Sequence, residues 1–451
     1  MTDLHRIEKL DKKFVWHPFT QMIDWEKDQN IVIERGEGVY LYDIYGKAYI
    51  DGISSLWVNV HGHNNSELNE ALREQIDKVS HSTLLGLANV PSAILAEKLI
   101  EIAPKSLKKV FYSDSGSTSV EIAIKVAFQY FKQKGHAYKN KKKIIAATSA
   151  YHGDTIGSVS VGGMELFHSI YRPLLFETIR ITYPYCYRCP FGLKHPDCGL
   201  YCAEEAEKTI RFHAEETCAL IIEPMIQGAS GMITMPTGYM KKIERVCKEN
   251  NVLLILDEVA TGFGRTGKMF ASFYEDISPD AMCMAKGITG GYLPMAATLF
   301  TQEIYDGFLG NYEDNMTFFH GHTYTGNQLA SACAIKSLEL FEKNDLLNRI
   351  KPLIIHFNKL LKDLTSLETV GDIRHIGLMA GIELVKNRDT KESFEVKRRI
   401  GHKVILEARN RGVIIRPLGD VIVIMPPLVI DSCTMDILMS VIYDSVKAVT
   451  L

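Results

Sequence analysis

From about residue 66 onward, helical stretches alternate with short β-rich apolar runs, and this alternation limits the fold of the 451-residue chain more than any other feature. Stretches such as 67–78 and 92–102 have helical periodicity, while residues 110–112, 144–146, 219–222 and 252–256 are β-rich and apolar. Strands separated by helices predict βα units on a mostly parallel sheet with helices on both faces, an α/β fold. Residues 31–50 differ. They alternate apolar and polar positions around Gly36, Gly38 and Gly46, the pattern of a small antiparallel sheet with tight turns. After Asn327 come a long helical stretch, 329–341, and then helices mixed with short strands at 378–384, 413–416 and 421–425. That tail predicts a separate α+β unit able to pack beside the N-terminal strands.

Apolar residues make up 46% of the chain and charged ones 23%, enough for a large core and no bias toward disorder. Fifty-one basic side chains nearly balance 54 acidic ones. The net charge of -3 offers no broad positive field, so neither nucleic acid nor an anionic membrane surface is an expected partner. No apolar run is long enough to span a bilayer, and the first thirteen residues lack the apolar core of a secretory signal. A cytoplasmic enzyme with small-molecule substrates is the expectation. Of nine cysteines, Cys218, Cys247, Cys283, Cys333 and Cys433 stand singly in apolar or helical contexts and are expected to be reduced thiols. Cys186, Cys189, Cys198 and Cys202 form two short pairs on a Pro/Gly-rich stretch. Their eight-residue spacer is shorter than that of common zinc ribbons, so reduced thiols without a metal are expected there too.

Chemistry concentrates at strand ends. The apolar run 252–256 delivers Asp257 and Glu258 to the end of a strand, where open α/β sheets place their ligands. Alone, such a pair is as well explained as a helix cap. Gly262–Lys268 has the spacing of a phosphate-binding loop, but Met269 stands where that motif needs Ser or Thr for magnesium, so nucleotide hydrolysis is not expected. Lys286, between Ala285 and Gly287 after an apolar run, is poorly placed for solvation. Its amine should lose a proton readily, which suits a Schiff base. A lone lysine there would more often snorkel at a strand end. Its weight comes from Asp257, which can keep a pyridine nitrogen protonated while the lysine holds the aldehyde carbon. Residues 110–131 are a strand, a small polar turn and a long helix. Gly116 permits close approach, and Ser117 and Thr118 add hydroxyls to the helix start, a cradle for phosphate as well as an N-cap. Tyr151 follows another strand and is placed to stack on a ring. Arg416, held before Pro417, is able to bind a carboxylate through two hydrogen bonds, or to form only a surface ion pair.

Together these residues resemble a known family. DEVATGFGRTG at 257–267, followed by AKG at 285–287, is similar to the class III aminotransferases of pyridoxal-phosphate fold type I. WHPFTQM (16–22), GISSLWVNVHGH (52–63), SDSGS (113–117), YHGDT (151–155), IIEPMIQGASGM (221–232), HGHTYTGNQLA (320–330) and IRPLGD (415–420) resemble the biotin-pathway branch of that family, in the same order along nearly the whole chain. The resemblance implies a homodimer with shared active sites. It also implies a large domain at 66–328 that binds pyridoxal 5'-phosphate, and a small domain made from 1–65 and 329–451. Carried over, Gly116 and Ser117 would hold the phosphate, Tyr151 would face the ring, Asp257 would pair with the ring nitrogen and Lys286 would bond the cofactor. Gly321, His322 and Thr323 would reach the neighbouring subunit's site. Arg416 would grip the carboxylate of 8-amino-7-oxononanoate, and Phe19, Leu56 and Trp57 would line the substrate pocket. The implied donor is S-adenosylmethionine, with L-lysine as the alternative. Phe19 and Leu56 replace a tyrosine and a tryptophan usual in enzymes that use S-adenosylmethionine, and His322 replaces a proline. Another ω-amine substrate, or a non-catalytic cofactor-binding regulator, are the competing expectations; no basic helical appendage supports the latter.

Overall fold

The computed structural model describes residues 4–28 and 30–451. Its largest sheet has seven strands: β1 (Leu107–Ser113), β2 (Lys143–Ala147), β3 (Ile179–Ile181), β4 (Thr217–Ile222), β5 (Leu253–Asp257), β6 (Ala281–Met284) and β7 (Ala296–Thr301). They are ordered β1-β7-β6-β5-β4-β2-β3. β6, β5, β4, β2 and β3 pair in parallel, and only β7 runs against its neighbours β6 and β1. Six strands therefore end on the same edge of the sheet. Every residue of β4, β5 and β6 is buried. Side chains alternate across a strand, so Leu254 and Leu256 enter one core cluster while Leu253 and Ile255 enter another on the opposite face. The helix Tyr239–Glu249 buries Tyr239, Ile243 and Val246 on the first face, and Gly116–Gln133 buries Val120, Ile122 and Phe131 on the second. The all-apolar strands follow from that double cover.

The N-terminal pattern gives strands Ile33–Glu37, Tyr40–Asp43 and Ala48–Asp51, turning at Gly38 (φ +55°) and Gly46 (φ +83°). A fourth strand, Val413–Ile414, pairs in parallel with Ala48–Asp51, so residues from both ends of the chain share one sheet. Val370–Ile376, Met379–Leu384, Val421–Ile424 and Arg416–Leu418 form a separate antiparallel sheet. The single strand expected at 413–416 is thus two, divided at Ile415 between two sheets. Pro417, which has no N–H to donate, lies on the edge strand Arg416–Leu418, where none is required.

The four-cysteine stretch runs over the surface. Cys186, Cys189, Cys198 and Cys202 line one small cavity as free thiols. Tyr185 Oη and Arg188 Nε (2.6 Å) donate to Glu383, which Arg374 also engages at 2.6 Å, fastening this stretch to the C-terminal sheet. Among the described residues no group of three or more His, Cys, Asp or Glu is arranged to hold a metal ion. Nor is any described helix long and apolar enough to cross a membrane.

Candidate active site

Because six strands point the same way, the residues that follow them converge. Asp114–Ser117 after β1, Tyr151 and His152 after β2, Glu223 after β4, Asp257 at the end of β5 and Lys286 after β6 all line one cavity of about 440 Å³. The expected residues Lys286, Asp257, Tyr151, Gly116, Ser117 and Trp57 are all there.

Asp257 is buried, and its two oxygens have different duties: Oδ1 accepts from Val259 N at 3.0 Å and Oδ2 bonds His152 Nδ1 at 2.6 Å. The other ring nitrogen of His152 is buried without a partner among the described residues. Glu223 accepts from Gly228 N (3.0 Å) and Tyr151 N (3.4 Å), and burial raises its pKa to about 7. Lys286 has φ +48°, a left-handed backbone unusual for a residue with a Cβ and common where function enforces strain. Its Nζ lies 5.0 Å from the centre of the Trp57 ring. Burial pulls its pKa down while Asp257 and Glu223 pull it back up, so the amine gives up its proton more easily than an exposed lysine.

At the start of the helix Gly116–Gln133, Ser115 Oγ accepts from Thr118 N (3.3 Å) and Thr118 Oγ1 accepts from Ser115 N (3.0 Å). That reciprocal cap leaves the earliest N–H groups of the turn facing the cavity, an anion site. A Cβ on Gly116 would meet Val259 Cγ1 at 2.7 Å, and one on Gly153 would meet Ser117 Oγ at 1.9 Å. Tyr151 donates its hydroxyl to Asp154 Oδ2 at 2.6 Å, and burial raises its pKa well above the phenol range.

A second, outer cavity of about 970 Å³ is lined by Phe19, Leu56, Phe167 and Arg416. Phe167 packs edge-on against both Phe19 (5.4 Å) and Tyr151 (6.5 Å), linking the two spaces. The Arg416 guanidinium lies 5.9 Å from the Phe19 ring and closes no ion pair or hydrogen bond among the described residues. Gly321, His322 and Thr323 line neither cavity. They belong to a largely exposed stretch anchored locally, with His322 N donating to Thr325 Oγ1 at 3.0 Å.

Three contributors went unread in the sequence, the first being His152, the residue after Tyr151, which bonds Asp257. Glu223 follows β4 as Asp257 ends β5, and that shared strand-end position was its available signal. Arg265 is fully buried, donating to Ser54 Oγ (3.0 Å), Pro426 O (2.8 Å) and Asn59 O, with its pKa lowered by burial to about 9. It ties the segment Ser54–Trp57, whose four residues all have positive φ, to the large sheet and the C-terminal part. Nothing local in the sequence marks that role.

The family model for class III aminotransferases matches residues 22–446. The adenosylmethionine-8-amino-7-oxononanoate aminotransferase of Nitratidesulfovibrio vulgaris is 52% identical over 99% of this chain and 82% of its own. A crystal structure of the enzyme of that name from Methanocaldococcus jannaschii superposes with a TM-score of 0.95 at 47% identity, each chain covered completely. An (S)-enantioselective omega-transaminase from Thermomicrobium roseum superposes at 0.94 with 34% identity, 99% of each chain being covered. The chain belongs to the class III aminotransferases, enzymes dependent on pyridoxal 5'-phosphate.

Proposed function

We propose that this enzyme transfers an amino group to 8-amino-7-oxononanoate, giving 7,8-diaminononanoate for biotin synthesis, with S-adenosylmethionine as donor. The observation that carries it is an amine-bearing pocket opening onto a free arginine: Lys286 and Asp257 lie inside, and Arg416 stands unpaired in the outer cavity. An acceptor with a ketone at one end and a carboxylate at the other suits that arrangement. The names of the relatives supply the specific acid.

The pocket fits pyridoxal phosphate. The uncovered helix start and the close approach at Gly116 suit its phosphate, the buried Asp257 suits a protonated ring nitrogen, and Lys286 suits its aldehyde. Once bound, the cofactor supplies an electron sink for the carbon that loses or gains a proton. The protein does the rest. Asp257 would hold the ring nitrogen, and His152, bonded through Nδ1, fixes the carboxylate's orientation. Lys286 Nζ, depressed by burial, takes and returns the proton at the substrate carbon. Tyr151 and Trp57 wall the reacting atoms from water, and Arg416 sets the acceptor's distance.

Gly321, His322 and Thr323 complete the site of a partner subunit in this reading, which makes the enzyme a homodimer. Scattered reduced thiols support a cytoplasmic setting. The test is 7,8-diaminononanoate formation, by mass spectrometry, with S-adenosylmethionine and L-lysine at matched concentrations. S-adenosylmethionine is expected to support it. Product with lysine alone would reassign the donor and give Leu56 and Phe19, both at the cavity wall, their explanation.

A further inference from the structure

The outer cavity holds a second cation that amine transfer leaves unused. One face of the helix Ile400–Asn410 lines it with His402, Ile405, Leu406 and Arg409, the three-and-four spacing that puts side chains on one stripe. The stripe is apolar in its middle, with His402 at one end and Arg409 at the other. Arg399, just before the helix, is neutralised by Asp24 at 2.7 Å. Arg409 is not: among the described residues no hydrogen bond or ion pair closes on its guanidinium. Burial lowers its pKa, and only the fields of Tyr49 and Asp28 oppose that. A half-buried guanidinium is costly to leave unpaired, and an incoming acid would satisfy it. The two arginines also have different neighbours within that cavity. Arg416 feels Tyr151 of the inner pocket, whereas Tyr49 and Asp28, the groups around Arg409, do not line that pocket.

We propose that Arg409 is a second acid anchor, binding the carboxylate of linear amino or oxo acids too long to end at Arg416. Half-buried Leu406, backed by the core residue Ile405, supplies apolar surface for the additional methylenes, so chain length decides which arginine receives the acid. This rests on the inner pocket being the amine-transfer site and extends its substrate class outward.

Calorimetric dissociation constants of linear saturated monocarboxylic acids of increasing length, measured on the cofactor-loaded enzyme, test it. Arg416→Gln should weaken the shorter acids and Arg409→Gln the longer ones, each by about tenfold or more, the loss expected for one charge-assisted contact. Arg409→Lys should restore part of the loss, and a melting curve for each variant identifies any that fails to fold. Arg409→Gln weakening every length equally, or none, overturns the proposal. These constants do not depend on turnover, so failure to convert 8-amino-7-oxononanoate would sink the functional reading and leave the anchor standing.

Discussion

Lys286 is the residue proposed to bond the cofactor. The purified protein is expected to be yellow, and Lys286→Ala to abolish that visible absorption; a band that persists would place the covalent bond elsewhere. Arg416→Ala should raise KM for 8-amino-7-oxononanoate far more than for a donor lacking a comparably placed carboxylate, by about tenfold or more. Equal effects on both would make the arginine structural. Glu223 gives a pH signature. Burial raises its pKa from 4.5 to about 7, so the folded protein holds this proton more tightly than the unfolded chain does. That contribution is intact below about pH 4.5 and is lost as pH rises through about 7. Relative to Glu223→Gln, the native chain should therefore lose up to about 3 kcal/mol of unfolding free energy over that range. A pH-independent difference would show that Glu223 ionises as it does unfolded. Asp257 and Lys286 were legible because strand-end position and apolar flanks are local properties. Glu223's raised pKa was not, because desolvation comes from the fold around it.

Among the elements, the helix Gly116–Gln133 links sequence to site most directly. A capped helix start at Gly116–Thr118 was readable, but its closeness to the loop after β5 was not, and that contact with Val259 is what requires glycine. Gly116→Ala should cost about 1–3 kcal/mol of stability and weaken pyridoxal-phosphate affinity, because the added methyl pushes the helix start away from Val259. Unchanged affinity by cofactor titration would show that the turn relaxes without moving its N–H groups. The strand expected at 413–416 failed as a single element for a related reason. Hydrophobic runs announce extended backbone, but which sheet each piece joins depends on partners far away in sequence, here Ala48–Asp51 and Val421–Ile424.

At the scale of the whole molecule, shared sites can be tested by complementation. Lys286→Ala and Gly321→Trp chains should each be inactive alone, whereas dimers formed by refolding the two together should recover activity, since one of their two sites has an intact lysine and an intact neighbouring loop. No recovery would mean that residues 321–323 serve their own chain. The sequence by itself determined the parallel sheet, the strand-end acids and the lysine, and through family resemblance the cofactor, because these follow from periodicity, local solvation and contiguous motifs. Only the tertiary structure decided that Arg265 clamps Ser54 and Pro426, that Glu223 shares a buried pocket with Asp257, and that Arg416 and Arg409 face one cavity. Those are properties of burial and distance between segments remote in the chain, which no local pattern encodes.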